Sequence, residues 1–149
     1  MKLDILNKKQ AKHINAQIQK RWGASFDTDY TYLHGKDKIF ITTRDLAKIP
    51  FDSYRVNSCG LYIAEYRNNE IRLSIEGSQL IGPQAETNVV DLPTEQAWEW
   101  MRGKDIETSH PDEGFVIIRC GEDYLGSGKV KDGRILNYVP KTRRIQSTS

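Results

Sequence analysis

The sequence is poor in the residues that cross-link or break a chain. It has only two cysteines and five prolines in 149 residues. Cys59 and Cys120 form no Cys-x-x-Cys pair, and no histidine stands at zinc-finger spacing from either of them. These absences exclude a disulfide scaffold and a zinc finger. Both cysteines are predicted to be buried free thiols on strands, the common environment of unpaired cysteine.

Long apolar runs are also absent. No segment approaches the roughly 20 apolar residues that a helix needs to span a bilayer. The first nine residues become charged too early for a secretory signal peptide. With 38% hydrophobic and 28% charged residues, the composition is typical of a soluble globular chain. We therefore expect a cytoplasmic protein with no membrane partner.

Charge is unevenly distributed along the chain, although the net charge is only +2. Residues 1–21 carry six basic residues and one acidic residue, and residues 129–144 repeat that balance. The other residues carry ten basic and eighteen acidic side chains. Basic ends on an acidic body favour a partner that carries phosphate. For the N-terminal segment, a solvated helix face explains the pattern equally well.

A helix is predicted from about Lys8 to Trp22. Asn7 can cap its first turn, Gln10 completes a capping-box pattern, and Gly23 supplies the stop. The apolar residues of this segment recur on one helical face, while lysine and arginine occupy much of the rest. That apolar face consists of Ala11, Ile14, Ile18 and Trp22.

The next part of the chain is predicted to be rich in strands. Residues 38–43 form a compact strand, and residues 59–66 and 70–75 flank the dipeptide Asn68-Asn69. Asparagine tolerates the positive φ angles of tight turns, so this pair predicts a hairpin. Residues 45–49 are predicted to form a helical turn.

After Pro83 the pattern changes to strand, helix and several strands. The helix is predicted to start at Pro93 and to end before Gly103, with Ala97, Trp98 and Met101 facing a core and Trp100 pointing elsewhere. The predicted strands cover residues 88–92, 115–120, 124–131 and 134–138. The Asp-Gly pair at 132–133 is typical of a tight hairpin.

These elements predict an α+β fold of two units. A small N-terminal α/β domain covers residues 1–85, and a partly closed β-barrel covers residues 86–149. We set the boundary near Pro83 to Glu86, where the chain breaks at Ile81-Gly82-Pro83.

The second unit resembles a PUA domain, named after pseudouridine synthases and archaeosine transglycosylases. The resemblance rests on the strand at 89–92, the helix and glycine at 95–105, the strand at 114–119, and the Leu-Gly-x-Gly strand at 124–130. The tail at 131–144 resembles the C-terminal RNA-binding extension of the Nol/Nop/Sun RNA cytosine methyltransferases. The resemblance implies a PUA-like β-barrel that binds RNA.

The N-terminal half carries a weaker resemblance, which leaves two readings open. A small domain before a PUA domain is similar to short ribosome-biogenesis factors of archaea and eukaryotes. It is equally similar to the linker domain that precedes the PUA-like module in the methyltransferases.

The basic tail supplies candidate RNA-binding residues. Lysine and arginine neutralise phosphates, arginine bidentately, while an amide and a tyrosine ring can read unpaired bases. In the tail these are Lys129, Lys131, Arg134, Asn137, Tyr138, Lys141, Arg143 and Arg144. The PUA resemblance implies a further contribution from the loop after the helix, Arg102-Gly103-Lys104. Alternatives remain for each: a solvated strand face for the lysines, a core or rim position for Tyr138, a strand end for Asn137, and a helix C-cap for the loop.

No catalytic centre is apparent in the residues. Gly126-Ser127-Gly128-Lys129 departs from a P-loop, because serine stands where lysine is required. The chain has neither the doubly wound domain nor the cysteine signature that a methyltransferase of the resembling group would need. His13, His34 and His110 are scattered and are predicted to lie on the surface. We therefore expect no enzymatic activity, no cofactor and no metal.

The sequence thus favours a non-catalytic RNA-binding protein acting on rRNA or tRNA in ribosome biogenesis or RNA modification. Its partners would be structured RNA and, in addition, a ribosome-assembly factor or an RNA-modifying enzyme. The main alternative is a stand-alone RNA-binding subunit that serves an RNA methyltransferase in trans. A small enzyme using residues 1–85 is a third hypothesis, which a deep pocket of titratable groups would support.

Overall fold

The structure is a computed structural model that describes residues 3–25, 30–43 and 60–146. In these residues it has ten strands in two five-stranded sheets, with three α-helices. The helical turn predicted at 45–49, and Cys59, lie outside the described residues. None of the helices described is long and apolar enough to cross a membrane.

The first sheet is antiparallel and has the strand order β1-β2-β3-β4-β5. The predicted hairpin joins β4 to β5, and its turn residues Asn68 and Asn69 have left-handed φ angles of 54° and 61°. The strands are β1 (Asp4–Ile5), β2 (Tyr30–Gly35), β3 (Lys38–Thr43), β4 (Leu61–Arg67) and β5 (Glu70–Leu73).

Helix α1 spans Lys8–Trp22, as predicted. The Asn7 side chain accepts a hydrogen bond from the backbone N–H of Gln10 at 2.8 Å, and the Gln10 side chain accepts one from Asn7 at 3.0 Å. Gly23 ends the helix with a φ of 69°. The capping box therefore fixes the start of α1, while its apolar face is buried at Ile14, Ile18 and Trp22.

A second helix follows β5 where the sequence pattern predicted more strand. The alternating apolar residues indicated a strand up to Ile75, but β5 ends at Leu73 and α2 spans Ile75–Ile81. The Ser74 hydroxyl accepts a hydrogen bond from the N–H of Gly77 at 2.9 Å and so caps the new helix. The strand prediction was wrong in its last residues, because a local cap overrides the alternation.

The second sheet has the strand order β6-β8-β9-β10-β7. Strands β6 and β8 run parallel, and the other neighbours are antiparallel. Asp132 and Gly133 form the β9–β10 turn with φ angles of 53° and 77°, as the Asp-Gly pair predicted. The strands are β6 (Val89–Asp91), β7 (Ile106–Glu107), β8 (Gly114–Cys120), β9 (Asp123–Lys131) and β10 (Arg134–Asn137).

Helix α3 spans Thr94–Met101, and the assignment of its two tryptophans was reversed. Trp100 is fully buried, whereas Trp98 is 50% exposed. The Trp100 indole Nε1 donates a hydrogen bond to the carbonyl oxygen of Leu125 at 3.1 Å. This bond satisfies the one polar atom of the buried ring.

Among the described residues, two large apolar cores lie against the two sheets, and a small cluster forms around Leu33 and Phe40. The first includes the buried face of α1 together with Ile63 and Leu73, and it also takes in Ile117 from β8 of the second sheet. The second surrounds Trp100 and Ile135. Because the first core contains residues from both sides of position 86, the two sheets are packed against each other. The domain boundary near that position stays a prediction.

Helix α2 lies at the junction of the sheets and bonds to the second of them. Its Ser78 Oγ accepts a hydrogen bond from the N–H of Gly126 on β9 at 2.9 Å. Next to it, the N–H of Leu73 on β5 donates to Ser127 Oγ on β9 at 3.1 Å. Both serines are buried, so these contacts satisfy polar groups that water cannot reach.

We predict that Trp100→Ala lowers the free energy of unfolding by about 3–5 kcal/mol. The substitution leaves a cavity in the second core and leaves the Leu125 carbonyl without its indole donor. Trp98→Ala is the matched control and should change the free energy by no more than about 0.5 kcal/mol. Urea denaturation followed by fluorescence measures both. Equal destabilisation by the two variants would contradict the orientation of α3.

Candidate nucleic-acid interface

Basic side chains gather where the C-terminal tail returns to the end of α3. Here lies a cleft of about 540 Å³, which we call the basic cleft. It is lined by Arg102, Lys104, Lys141, Arg144, Ile145 and Gln146. The loop predicted from the PUA resemblance and two residues of the predicted tail thus meet in one place, although about 40 positions separate them in the sequence.

Gly103 allows this convergence. Its φ is 96°, and a Cβ added there would lie 2.6 Å from Nε of Arg144. Only glycine therefore lets the arginine side chain lie against the backbone of the loop. The same Nε donates to the carbonyl oxygen of Val139 at 3.1 Å, so the half-buried guanidinium is held in a defined position.

Asn137 ties the loop to the tail. Its side-chain amide nitrogen donates to the carbonyl oxygens of Trp100 and Lys104 at 2.8 and 2.9 Å. Its Oδ1 accepts from the N–H of Val139 at 2.8 Å. The amide is therefore engaged in fixing the cleft, which matches the strand-ending alternative for this residue better than reading a base.

A single carboxylate partly neutralises the basic cleft. Glu99 contacts Lys104 Nζ at 2.8 Å and Arg102 Nη1 at 3.2 Å. The hydrogen bond from Lys104 lowers the pKa of Glu99, and the arginine adds to the effect. Among the described residues Lys141 has no carboxylate partner. The cleft therefore keeps a net positive charge from four cations and one anion.

Three other predicted residues lie outside the basic cleft. Lys129 is within 3.2 Å of the carboxylate of Glu70, and Arg134 is within 3.5 Å of Asp105. Lys131 is exposed at the end of β9. The alternation of Lys129 and Lys131 along one strand is present, but the first of the two is paired with an acidic side chain.

Tyr138 and Arg143 line a separate cleft of about 440 Å³ at the junction of the sheets. The Tyr138 ring packs edge-on against Phe115, with 5.4 Å between centroids, and the guanidinium of Arg72 lies 4.9 Å from it. Arg143 forms an ion pair with Glu76. The tyrosine is 36% exposed, which agrees with the rim position that the sequence left open.

Trp98 is a candidate that the sequence analysis assigned to the core instead. It precedes Arg102, the C-cap residue of α3 and part of the lining of the basic cleft, by four residues, which is the spacing of neighbours on one helical face. An exposed indole beside cations is suited to stacking on a base. The sequence does contain a signal for this position, the i, i+4 spacing between Trp98 and Arg102, but the prediction placed Trp98 in the core.

Two of the three histidines are less exposed than predicted. His34 and His110 are half-buried, and a ring nitrogen of His110 lies 2.9 Å from Oδ1 of Asn88. His13 is exposed and contacts the hydroxyl of Tyr66 at 3.0 Å. Cys120 is a free, half-buried thiol at the end of β8.

Comparison with known proteins confirms the PUA resemblance. Residues 87–145 match the family described as the PUA domain of the methyltransferase RsmF. A conserved PUA domain protein from Thermoplasma acidophilum superimposes with a TM-score of 0.62 at 12% identity, covering 91% of this chain and 93% of that one. This likeness shows the fold and confirms the α+β class with a PUA-like second unit.

Similarity to full-length relatives extends into the N-terminal half. The ribosomal RNA small subunit methyltransferase F of Vibrio cholerae serotype O1 is 26% identical over 134 residues, covering 89% of this chain and 28% of that protein. The protein of the same name from Vibrio vulnificus is 27% identical over 139 residues, covering 89% and 29%. The chain thus spans little more than a quarter of the length of these relatives.

We predict that Gly103→Ala reduces the free energy of unfolding by about 1–3 kcal/mol and displaces Arg144, because the methyl group meets its side chain at a left-handed φ. Urea denaturation measures the first effect, and the NMR shift of the Arg144 Nε–H measures the second. Gly121→Ala is the control, since Gly121 has a φ of 61° and no atom within 4 Å of the added Cβ. If Gly103→Ala costs no more in wild type than in an Arg144→Ala background, the proposed contact is wrong.

Proposed function

We propose that this chain is a non-catalytic RNA-binding protein whose basic cleft holds the backbone of structured rRNA or tRNA. The observation that carries the proposal is the convergence of four cations around one glycine. Arginine there can engage a phosphate bidentately, while lysine acts as a mobile point charge. The PUA match over residues 87–145 supports RNA as the polyanion.

The ion pairs in the basic cleft are compatible with this use. Glu99 and its two partners are each more than a third exposed, and exposed ion pairs of this kind are weak because water screens them. A phosphate can therefore replace the carboxylate at small cost. Each phosphate contact also releases condensed counterions, which is the main source of affinity for nucleic acids.

Folded RNA suits the shape of this surface better than a uniform duplex does. Trp98 is 50% exposed and precedes Arg102 of the cleft by one helical turn, and an aromatic ring stacks on unpaired bases, which loops and bulges provide. Phosphate binding in the cleft combined with stacking on the adjacent indole would favour RNA that has both paired and unpaired segments.

A second candidate function is an RNA-binding subunit that serves an RNA methyltransferase in trans. It is favoured by the matched relatives, which are named ribosomal RNA methyltransferases and which this chain covers over less than a third of their length. In this case the chain would deliver RNA to a catalytic domain supplied by another protein. A ribosome-assembly factor could take the same place as the partner.

The first prediction concerns the basic cleft. The double variant Lys104→Gln, Lys141→Gln should weaken binding to tRNA or rRNA fragments. The plot of log association constant against log salt concentration should become less steep, its negative slope shrinking in magnitude by roughly 1.4–1.8, because two phosphate contacts are lost. Fluorescence anisotropy across a salt series measures this, with duplex DNA as the weaker ligand. Lys12→Gln, Lys20→Gln removes the same charge from exposed positions of α1 and should leave the slope unchanged.

Two results would contradict the proposal. Wild-type protein that binds duplex DNA as tightly as folded RNA would remove the case for RNA. Equal effects of the cleft variant and the α1 variant would show that net charge, and not the basic cleft, carries the affinity.

The second prediction concerns catalysis. Incubated with unmethylated rRNA and labelled S-adenosylmethionine, the chain alone should transfer no label, because the proposal gives it no catalytic centre.

Affinity purification from lysate should recover a catalytic subunit in stoichiometric amount if the in-trans function is correct. Transfer of label by the purified chain alone would overturn the non-catalytic assignment.

A further inference from the structure

A third cleft, of about 540 Å³, lies on the N-terminal half and shares no lining residue with the basic cleft. Its rim carries polar side chains from three different elements and one turn: Lys9 and His13 from α1, His34 from β2, Lys36 from the β2–β3 turn, and Tyr66 from β4. We call it the histidine cleft. Lys9 and His13 are four residues apart on the helix and therefore face it together.

The cations of this cleft are unpaired. Within residues 3–25, 30–43 and 60–146, neither Lys9 nor Lys36 has a carboxylate within ion-pair distance. Asp37 also lines the cleft, but it is engaged with Arg67 at 3.3 Å. In contrast to the basic cleft, no internal anion has to be displaced here. The charge is complementary to a phosphate group.

The floor of the histidine cleft is apolar and one wall is aromatic. Ile14 and Ile39 are 6% and 2% exposed and form part of the lining. The rings of His13 and Tyr66 lie with centroids 6.0 Å apart and an interplanar angle of 42°. A flat apolar face next to rings and cations suits a ligand that has both a planar base and a phosphate.

We propose that the histidine cleft binds one unpaired nucleotide of the RNA, with the base against the apolar floor and the phosphate between Lys9 and Lys36. This inference rests on the proposed RNA-binding function and extends it to the N-terminal half. The cleft volume lies within the roughly 300–1,000 Å³ of small-molecule sites. RNA would then contact the chain at two clefts, one in the N-terminal half and one in the C-terminal half.

The test uses the whole chain and a short single-stranded oligoribonucleotide, with fluorescence anisotropy across a salt series. Lys9→Gln, Lys36→Gln should lower the salt slope by about 1.4, the loss expected for two single-strand phosphate contacts. Tyr66→Leu should weaken affinity about tenfold through lost stacking, and Tyr66→Phe should retain the wild-type affinity. Lys12→Gln, Lys20→Gln is the matched charge control.

The outcomes separate this inference from the proposed function. If wild type binds folded RNA and the basic-cleft variant weakens it, but Lys9→Gln, Lys36→Gln behaves like the α1 control, the histidine cleft alone is refuted. If wild type binds no RNA at any salt concentration, the proposed function fails and this inference fails with it. Loss of affinity in Tyr66→Leu counts as support only if its thermal midpoint equals that of Tyr66→Phe.

Discussion

The close approach of α2 to both sheets is the constraint on which the rest of the fold depends. On one side, a Cβ added to Gly77 would lie 2.0 Å from the carbonyl oxygen of Ile63, so the helix sits directly on β4. On the other side, Ser78 bonds to the backbone of Gly126 on β9. Because interiors are packed to crystal-like density, neither contact can loosen without opening the other. The two sheets, and the clefts on them, are therefore held in one arrangement.

The sequence was sufficient to predict those elements whose ends and turns depend on neighbouring residues. Helix α1 and the turn at Asp132-Gly133 agree with prediction, because their caps and φ requirements lie within a few residues. The orientation of α3 could not be derived in this way. Its apolar residues fit two helical faces, and the face that is buried packs Trp100 into the second core, where a distant strand supplies the Leu125 carbonyl to its indole. Tertiary contacts are thus needed where periodicity leaves two faces open.

The candidate site shows the same limit. Sequence reasoning identified the basic residues, since lysine and arginine are visible by type, but it could not tell which of them find acidic partners. Lys129, Arg134 and Arg143 are each paired with a carboxylate from elsewhere in the chain. Arg134 is 29 positions from Asp105 in the sequence, and Arg143 is 67 positions from Glu76. Folding therefore divides one basic tail into neutralised residues and a smaller charged cleft.

Glu99 gives the basic cleft a property that a simple cluster of cations would lack. Its carboxylate already occupies the positions near Arg102 and Lys104 that an incoming phosphate would take. In the proposed function, RNA binding is an exchange of one anion for another, and the net gain in free energy is the difference between the phosphate and the carboxylate as partners of the two cations. Isolated anions such as chloride or free phosphate gain little from this exchange, whereas a polymer that delivers several phosphates at once gains from each additional contact. Competition from the Glu99 carboxylate thus favours the binding of multivalent ligands over the binding of single ions.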